Sequence, residues 1–221
     1  SAIARHVQRW LNEPLLVATH PLRCSVNIGV VAIERGRVTA TDLLRDAETA
    51  LFALDRTPCR GVMVYEPRMQ EEIQQRVDLE RDLHRAIHSD ELFPVYQPIV
   101  SLSTGLVVGC EALVRWRHPK RGLVSPADFI PIAEESDLIA DIGQMMLRRA
   151  CEQIYAFDDM DLGLPPLWVS VNLSKRQVQD AQLPRVFRRI VDEHGVAPER
   201  IKLEVTESIV MADAACVAPM L

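Results

Sequence analysis

Residues 95–116 read VYQPIVSLSTGLVVGCEALVRW. Two apolar runs, 95–100 and 106–116, flank the polar SLSTG at 101–105, the pattern of a strand pair joined by a tight turn. Two more strands follow at helix-length intervals, the alternating WVSVNLS at 168–174 and IKLEVTES at 201–208. Between the pair and the first of these, Pro126 and Ser136 mark helix starts, and Met146, Leu147, Ala150, Cys151, Ile154 and Phe157 form an apolar stripe at helical spacing. A helix is expected over 175–194, stopped by Gly195. Strands alternating with helices of this length imply a parallel α/β layered sheet or barrel.

Working back toward the N-terminus, residues 67–92 are charged, with Leu79, Leu83, Ala86 and Ile87 at helical spacing. This reads as a linker helix, taken as 67–89. Before it, Ile3, Val7, Trp10 and Leu11 mark the tail of a helix that Pro14 stops, and LRCSVNIGVVAI (22–33) reads as a partly buried strand followed by a turn at 34–37. Thr41 is the expected N-cap of a helix through Leu54, and VMVYE (62–66) is a last short strand. Residues 1–66 thus give helix, strand, helix, strand, too little for a closed sheet domain, and the reading expects more of that domain before residue 1.

The chain has 221 residues, with 25 Lys and Arg against 31 Asp and Glu, a net charge of −6. Nearly half of it is hydrophobic and a quarter charged, which excludes a disordered acidic tail or a low-complexity chain. The acidic balance argues against binding a nucleic-acid polymer, which needs a basic surface. No apolar run approaches the ~20 residues that span a bilayer, so no membrane contact is expected of this segment. Five cysteines without a CxxC spacing argue for reduced thiols in a cytoplasmic compartment rather than disulfides or zinc. No GxGxxG or GxxxxGK[ST] loop is present, so any nucleotide chemistry must work through metal and side chains.

Three residues carry that chemistry. Glu111, Asn172 and Glu204 each interrupt apolar sequence at or near a strand end with an oxygen donor. In a (β/α) barrel the C-terminal ends of the strands converge on one face, so three such residues can meet although far apart in the chain. Oxygen donors suit Mg²⁺ or Mn²⁺ better than zinc. By period-2 alternation Leu113 and Arg115 share the face of Glu111, where the planar fork of Arg115 could hold a phosphate. Each residue alone has an ordinary explanation: a solvated rim carboxylate, an Asn satisfying a turn, a charge at a strand exit. His84 and His88, four apart, lack the Glu of HExxH and read as a solvent-facing pair.

The second block resembles the EAL family of cyclic di-GMP phosphodiesterases. The matching residues are YQPIV (96–100), EALVRWRHP (111–119), GLVSPADFIPIAEE (122–135), VNLS (171–174) and LEVTES (203–208). The resemblance implies a TIM-like barrel that hydrolyses cyclic di-GMP to linear pGpG with Mg²⁺ or Mn²⁺. It implies Glu111, Asn172 and Glu204 as metal ligands, with Glu111 and Glu207 in catalytic roles, Glu207 by bracing an active-site loop. Gln97, Leu113 and Arg115 then line the substrate, Arg115 at a phosphate. The first block resembles, more loosely, the C-terminal part of a GGDEF (diguanylate cyclase) domain, through VNIG (26–29) and AETALFAL (47–54). Glu48, Asp55 and Cys59-Arg60 depart from that pattern, and no cyclase activity can be assigned. The expected organisation is therefore 1–66 GGDEF-like, 67–89 linker helix and 90–221 the first part of an EAL domain, a familiar tandem order in bacterial signalling proteins.

A complete (β/α)₈ barrel needs ~250 residues, about twice what 90–221 supplies. The fold expected is an incomplete TIM-like barrel, and the fragment is expected to be inactive while its parent turns over cyclic di-GMP. Open strand edges would favour a homodimer, aggregation or dependence on the rest of the barrel. Two other classes fit part of the pattern: a non-catalytic cyclic di-GMP receptor, and a barrel glycosidase with Glu111 and Glu204 as its carboxylate pair.

Overall fold

The structure, a computed structural model, describes residues 2–17, 20–22, 25–33, 39–55, 61–160 and 163–205. The chain divides into two compact units, Ser1–Asp78 and Leu79–Leu221.

In the first unit, α1 (Ala2–Leu11) ends ahead of Pro14, and β1 (Leu15–Val17) pairs antiparallel with β2 (His20–Leu22). The single strand expected over 22–33 is instead split. Leu22 ends β2, and β3 (Ile28–Val30) begins after Asn27, whose side chain donates to Asp55 Oδ1 at 2.6 Å and accepts from the Gly61 amide at 3.2 Å. β3 lies parallel to β4 (Val62–Val64), and α2 (Ala40–Asp55) connects them as a βαβ crossover. The cap of α2 is Thr39 rather than Thr41. Thr39 Oγ1 accepts from the Asp42 amide, and the Asp42 carboxylate in turn accepts from the Thr39 amide, a reciprocal arrangement that satisfies two otherwise orphan donors. α3 (Pro67–Ala86) follows, and the boundary between the units falls within it.

The second unit is a mixed α/β sheet with helices on one face. β5 (Leu92–Val100) and β6 (Val107–His118) form the expected antiparallel pair around the turn at 101–106, and β7 (Gly122–Val124) adds to the end of β6. α4 (Pro126–Glu135) is capped by Ser125, and Ser136, expected to start a helix, closes this one: its amide and hydroxyl both bond Ile132 O. α5 (Ile139–Asp159) leads to β8 (Trp168–Asn172), which pairs parallel with β6. The helix expected over 175–194 is broken into α6 (Lys175–Val178) and α7 (Leu183–His194). Pro184 accounts for the break, since it has no N–H and its ring would clash with the carbonyl of residue 180 in a continuous helix. Gly195 ends α7 in the left-handed region at φ 65°. β9 (Ile201–Glu204) lies parallel to β8, giving the order β5-β6-β8-β9.

The core lies between the sheet and these helices. Cys110, Ala112 and Trp116 of β6 and Val169 and Val171 of β8 meet Met146, Leu147, Ala150, Cys151 and Ile154 of α5, the stripe expected from spacing. Trp116 packs edge-on against Phe129 of α4 at 5.6 Å, and its indole N–H donates to Glu91 Oε2 at 3.1 Å. Leu79, Leu83 and Ala86, on the last turns of α3, belong to the same core. With alternate residues of β6 and β8 committed to it, Glu111, Leu113, Arg115, Ser170 and Asn172 are left on the opposite face.

Candidate active site

Glu111 sits in the middle of β6, within the run 106–116 read as a strand, rather than near a strand end. The reason is that β6 runs on to pair with β5 and β7, whereas its ladder with β8 stops at Ala112 and Val171. Glu111 is therefore at the exit of the parallel part of the sheet. There it is in register with Gln97 of β5 and Ser170 of β8. Asn172, the last residue of β8, is in register with Glu204, the last of β9. Register partners and alternate residues share a face, so Gln97, Glu111, Asn172 and Glu204 project together.

The contact at the centre is short: Asn172 Nδ2 donates to Glu111 Oε1 at 2.6 Å. Glu111 is half-buried and Asn172 exposed, so the pair lies at the mouth of the face rather than inside the core. The bond occupies the amide nitrogen and leaves the Asn172 carbonyl oxygen and the second Glu111 oxygen available, with the Glu204 carboxylate on the neighbouring strand. A carboxylate, an amide oxygen and a second carboxylate are the donor chemistry of a hard divalent cation, and these residues could hold one.

The register between β5 and β6 is unbroken from Leu92 to Ile99, so alternation carries Leu113 and Arg115 along the face of Glu111 without a bulge. Arg115 donates to the carbonyl of Val114 at 2.8 Å. A cavity of about 560 Å³ opens at the strand ends, lined by Leu113, Arg115 and Asn172 together with Ile130, Ile142 and Met146. Glu207 lies outside the described residues, as do Cys24, Cys59 and Arg60. His84 and His88 are both exposed, and His88 falls beyond the end of α3.

Two buried polar groups lie beside the site: Ser170, which in sequence lacks the neighbouring His of a nucleophilic triad, and Gln177, which sequence reasoning missed. Ser170 is fully buried beneath Glu111, and its hydroxyl has no hydrogen-bond partner among the described residues. Its signal was the single hydroxyl in an otherwise apolar WVSV. Gln177 closes a capping box with Ser174 at the start of α6, its Oε1 accepting from the Ser174 amide at 3.0 Å. The S-x-x-Q spacing directly after VNL carries that signal. This fixes the turn that follows Asn172, whose amide is itself held by Glu111.

Fold and site together define a mixed α/β protein of TIM-like barrel type with an oxygen-donor cluster where its parallel strands end. The chain belongs to the EAL domain family, whose pattern matches residues 80–219. It is 36% identical over 212 residues to an uncharacterized signaling protein of Caulobacter vibrioides, covering 96% of this chain and 25% of that protein. It is 32% identical over 214 residues to the bifunctional diguanylate cyclase/cyclic di-GMP phosphodiesterase MucR of Pseudomonas aeruginosa, covering 97% of this chain and 31% of that protein. Among solved structures, the PaMucR phosphodiesterase in complex with c-di-GMP superposes with a TM-score of 0.60 at 38% identity, over 64% of this chain and 57% of that one. The chain spans about a quarter to a third of the length of the curated relatives it matches. No described helix is long and apolar enough to cross a membrane.

Proposed function

We propose that this chain is part of a bacterial signalling protein that hydrolyses cyclic di-GMP to linear pGpG. The observation that carries the reading is the 2.6 Å contact between Asn172 and Glu111 with Glu204 in register beside them. In this reading Glu111, Asn172 and Glu204 hold Mg²⁺ or Mn²⁺, which when bound would polarise the scissile phosphate and lower the pKa of the attacking water. The residues of the chain do the rest. Asn172 keeps the Glu111 carboxylate turned toward the cluster, so its free oxygen is aimed before any cation arrives. Arg115 presents a planar cation to a phosphoryl oxygen, and Gln97, in register with Glu111, contacts the sugar–phosphate ring from the other side. Leu113 supplies apolar surface beneath it, and Glu207 braces the loop after β9.

Residues 90–221 make up roughly half of the ~250 residues of a full barrel. We take them as one side of the site, with further ligands supplied elsewhere in the protein, so this stretch alone would turn over slowly or not at all. Residues 1–66 are read as the end of a GGDEF-type domain, supported by the parallel β3 and β4 around α2 and by the VNIG and AETALFAL likeness. The decisive experiment is hydrolysis of cyclic di-GMP by the full-length protein with Mn²⁺, with chelator, and as the Glu111→Ala variant. Loss of turnover in the last two is expected. Equal rates would overturn the metal assignment, and binding without turnover by the unmodified protein would make it a receptor.

A further inference from the structure

The face that carries Glu111 continues outward past Arg115. Phe93 is the register partner of Arg115, and Arg117 is the next residue of β6 on that side. The Arg117 guanidinium carbon lies 4.6 Å from the centre of the Phe93 ring. Arg85, Arg149 and Arg176 elsewhere in this unit each pair with a carboxylate, yet among the described residues no carboxylate lies within ion-pair distance of Arg115 or Arg117. Both guanidinium groups on this strip are therefore free to meet a ligand.

The two are not equivalent. Arg115 is half-buried near the strand exit, whereas Arg117 is exposed and backed by an aromatic ring. A guanidinium supported in that way is a flat, delocalised and weakly hydrated surface, the surface on which a nucleobase stacks. Arg117 is six residues beyond Glu111, about 20 Å along the strand. Its guanidinium, however, folds back over Phe93, level with Arg115 and so only four residues, about 13 Å, from Glu111, the scale on which one base of a cyclic dinucleotide stands from a phosphate held at the oxygen cluster.

We propose that Arg117, laid against Phe93, is a stacking platform for one purine base of the bound dinucleotide. This rests on the cyclic di-GMP reading above. The test uses the full-length protein, with Arg117→Ala, Arg117→Lys and Phe93→Leu compared with the unmodified chain. A 2-aminopurine-labelled cyclic dinucleotide is quenched on stacking and reports binding without turnover. The expected result is loss of quenching and an approximately tenfold rise in KM in Arg117→Ala and Phe93→Leu, with kcat changed less than twofold because a remote base contact is shared by ground and transition states. Unchanged KM and quenching in both variants would overturn the platform and leave the hydrolase reading intact. Full rescue by Arg117→Lys would also overturn it, since it would reduce the contact to simple charge. Quenching by the unmodified protein without hydrolysis would keep the platform and overturn only the hydrolase.

Discussion

The side-chain amide of Asn172 and the carboxylate of Glu111 are joined at 2.6 Å although they stand 61 residues apart, on strands β8 and β6 whose mutual ladder ends between them. The bond uses one of the amide's two N–H donors and leaves its oxygen free, so the residue type at 172 decides whether the cluster is held together without a cation. Asn172→Asp replaces the donor by a second carboxylate within hydrogen-bond distance of the first. Without added cation, melting should fall by about 2–4 °C for each kcal/mol of repulsion. Mn²⁺ should then raise the melting temperature of the variant more than that of the unmodified chain, because the extra charge is neutralised only in the bound state. Calorimetry with and without Mn²⁺ decides it, and a variant insensitive to Mn²⁺ would remove the oxygen-ligand interpretation.

Much of this site was legible because its signals are local. Alternation alone puts Leu113 and Arg115 on the face of Glu111, and the strand pair at 95–116 needs only its turn. What could not be read was where ladders stop. The run 106–116 already reads as one strand through Glu111, but only the pairing shows that the ladder with β8 ends at Ala112, which makes Glu111 an exit residue of the parallel sheet. Likewise the apolar pattern from 175 to 194 reads as one helix until Pro184 is weighed against the carbonyl of residue 180. The shift of the α2 cap from Thr41 to Thr39 is a matter of which hydroxyl lies three residues before an acidic side chain.

His118 shows the same limit, since nothing in RWRHP says what its imidazole does. It is 3% exposed, and Nδ1 accepts from the amides of Lys120 and Arg121, each at 3.1 Å, which places the ring proton on Nε2, 3.0 Å from Asp82 Oδ2. The ring thus closes the β6–β7 turn and ties it to the last turns of α3. His118→Ala leaves two amides and a carboxylate without this partner and should cost about 2–4 kcal/mol, read as a lower urea midpoint. Asp82→Asn should cost less, because the amide oxygen can still accept from Nε2.

That pair also fixes a pH dependence. The hydrogen bond from His118, and then the charge of Arg85, hold the Asp82 carboxyl below its ordinary range. A depressed carboxylate binds fewer protons in the folded than in the unfolded state, so its contribution is present above the unfolded value of about 3.9 and is lost as pH falls through the folded one. The urea midpoint should decline on acidification below about pH 4, less steeply in Asp82→Asn. An identical acid limb in the two proteins would remove the assignment.

Cys110 of β6 and Cys151 of α5 both lie in the core, and burial pushes both thiols up to about 11. The thiolate is the reactive form, and at pH 8 it amounts to about one part in a thousand at such sites. Alkylation mapped by mass spectrometry should therefore leave both unmodified in the native chain and label them in urea. The raised thiols favour the folded state below the unfolded value of about 8.5, and that contribution is lost as pH rises toward 11. Rapid native labelling of either at pH 8 would contradict the packing.

The sharpest check of the helix–sheet packing reverses a general rule. Glycine inside a helix is ordinarily worse than alanine by up to about 1 kcal/mol, so Gly143→Ala in the second turn of α5 would be expected to stabilise. Here a Cβ would collide with Nε2 of Gln177, a side chain 3% exposed whose Oε1 is held by the Ser174 amide. The amide would be forced out of its slot, opening the capping box with Ser174 that sets the turn after Asn172. Gly143→Ala should therefore destabilise by about 1–3 kcal/mol, and it should weaken Mn²⁺ binding as well, since the turn it opens directly follows Asn172. Adding Gln177→Ala should recover most of the stability by clearing the slot, while Mn²⁺ binding stays weak because the cap is still missing. A stabilised Gly143→Ala single variant would show that Gln177 does not occupy that slot.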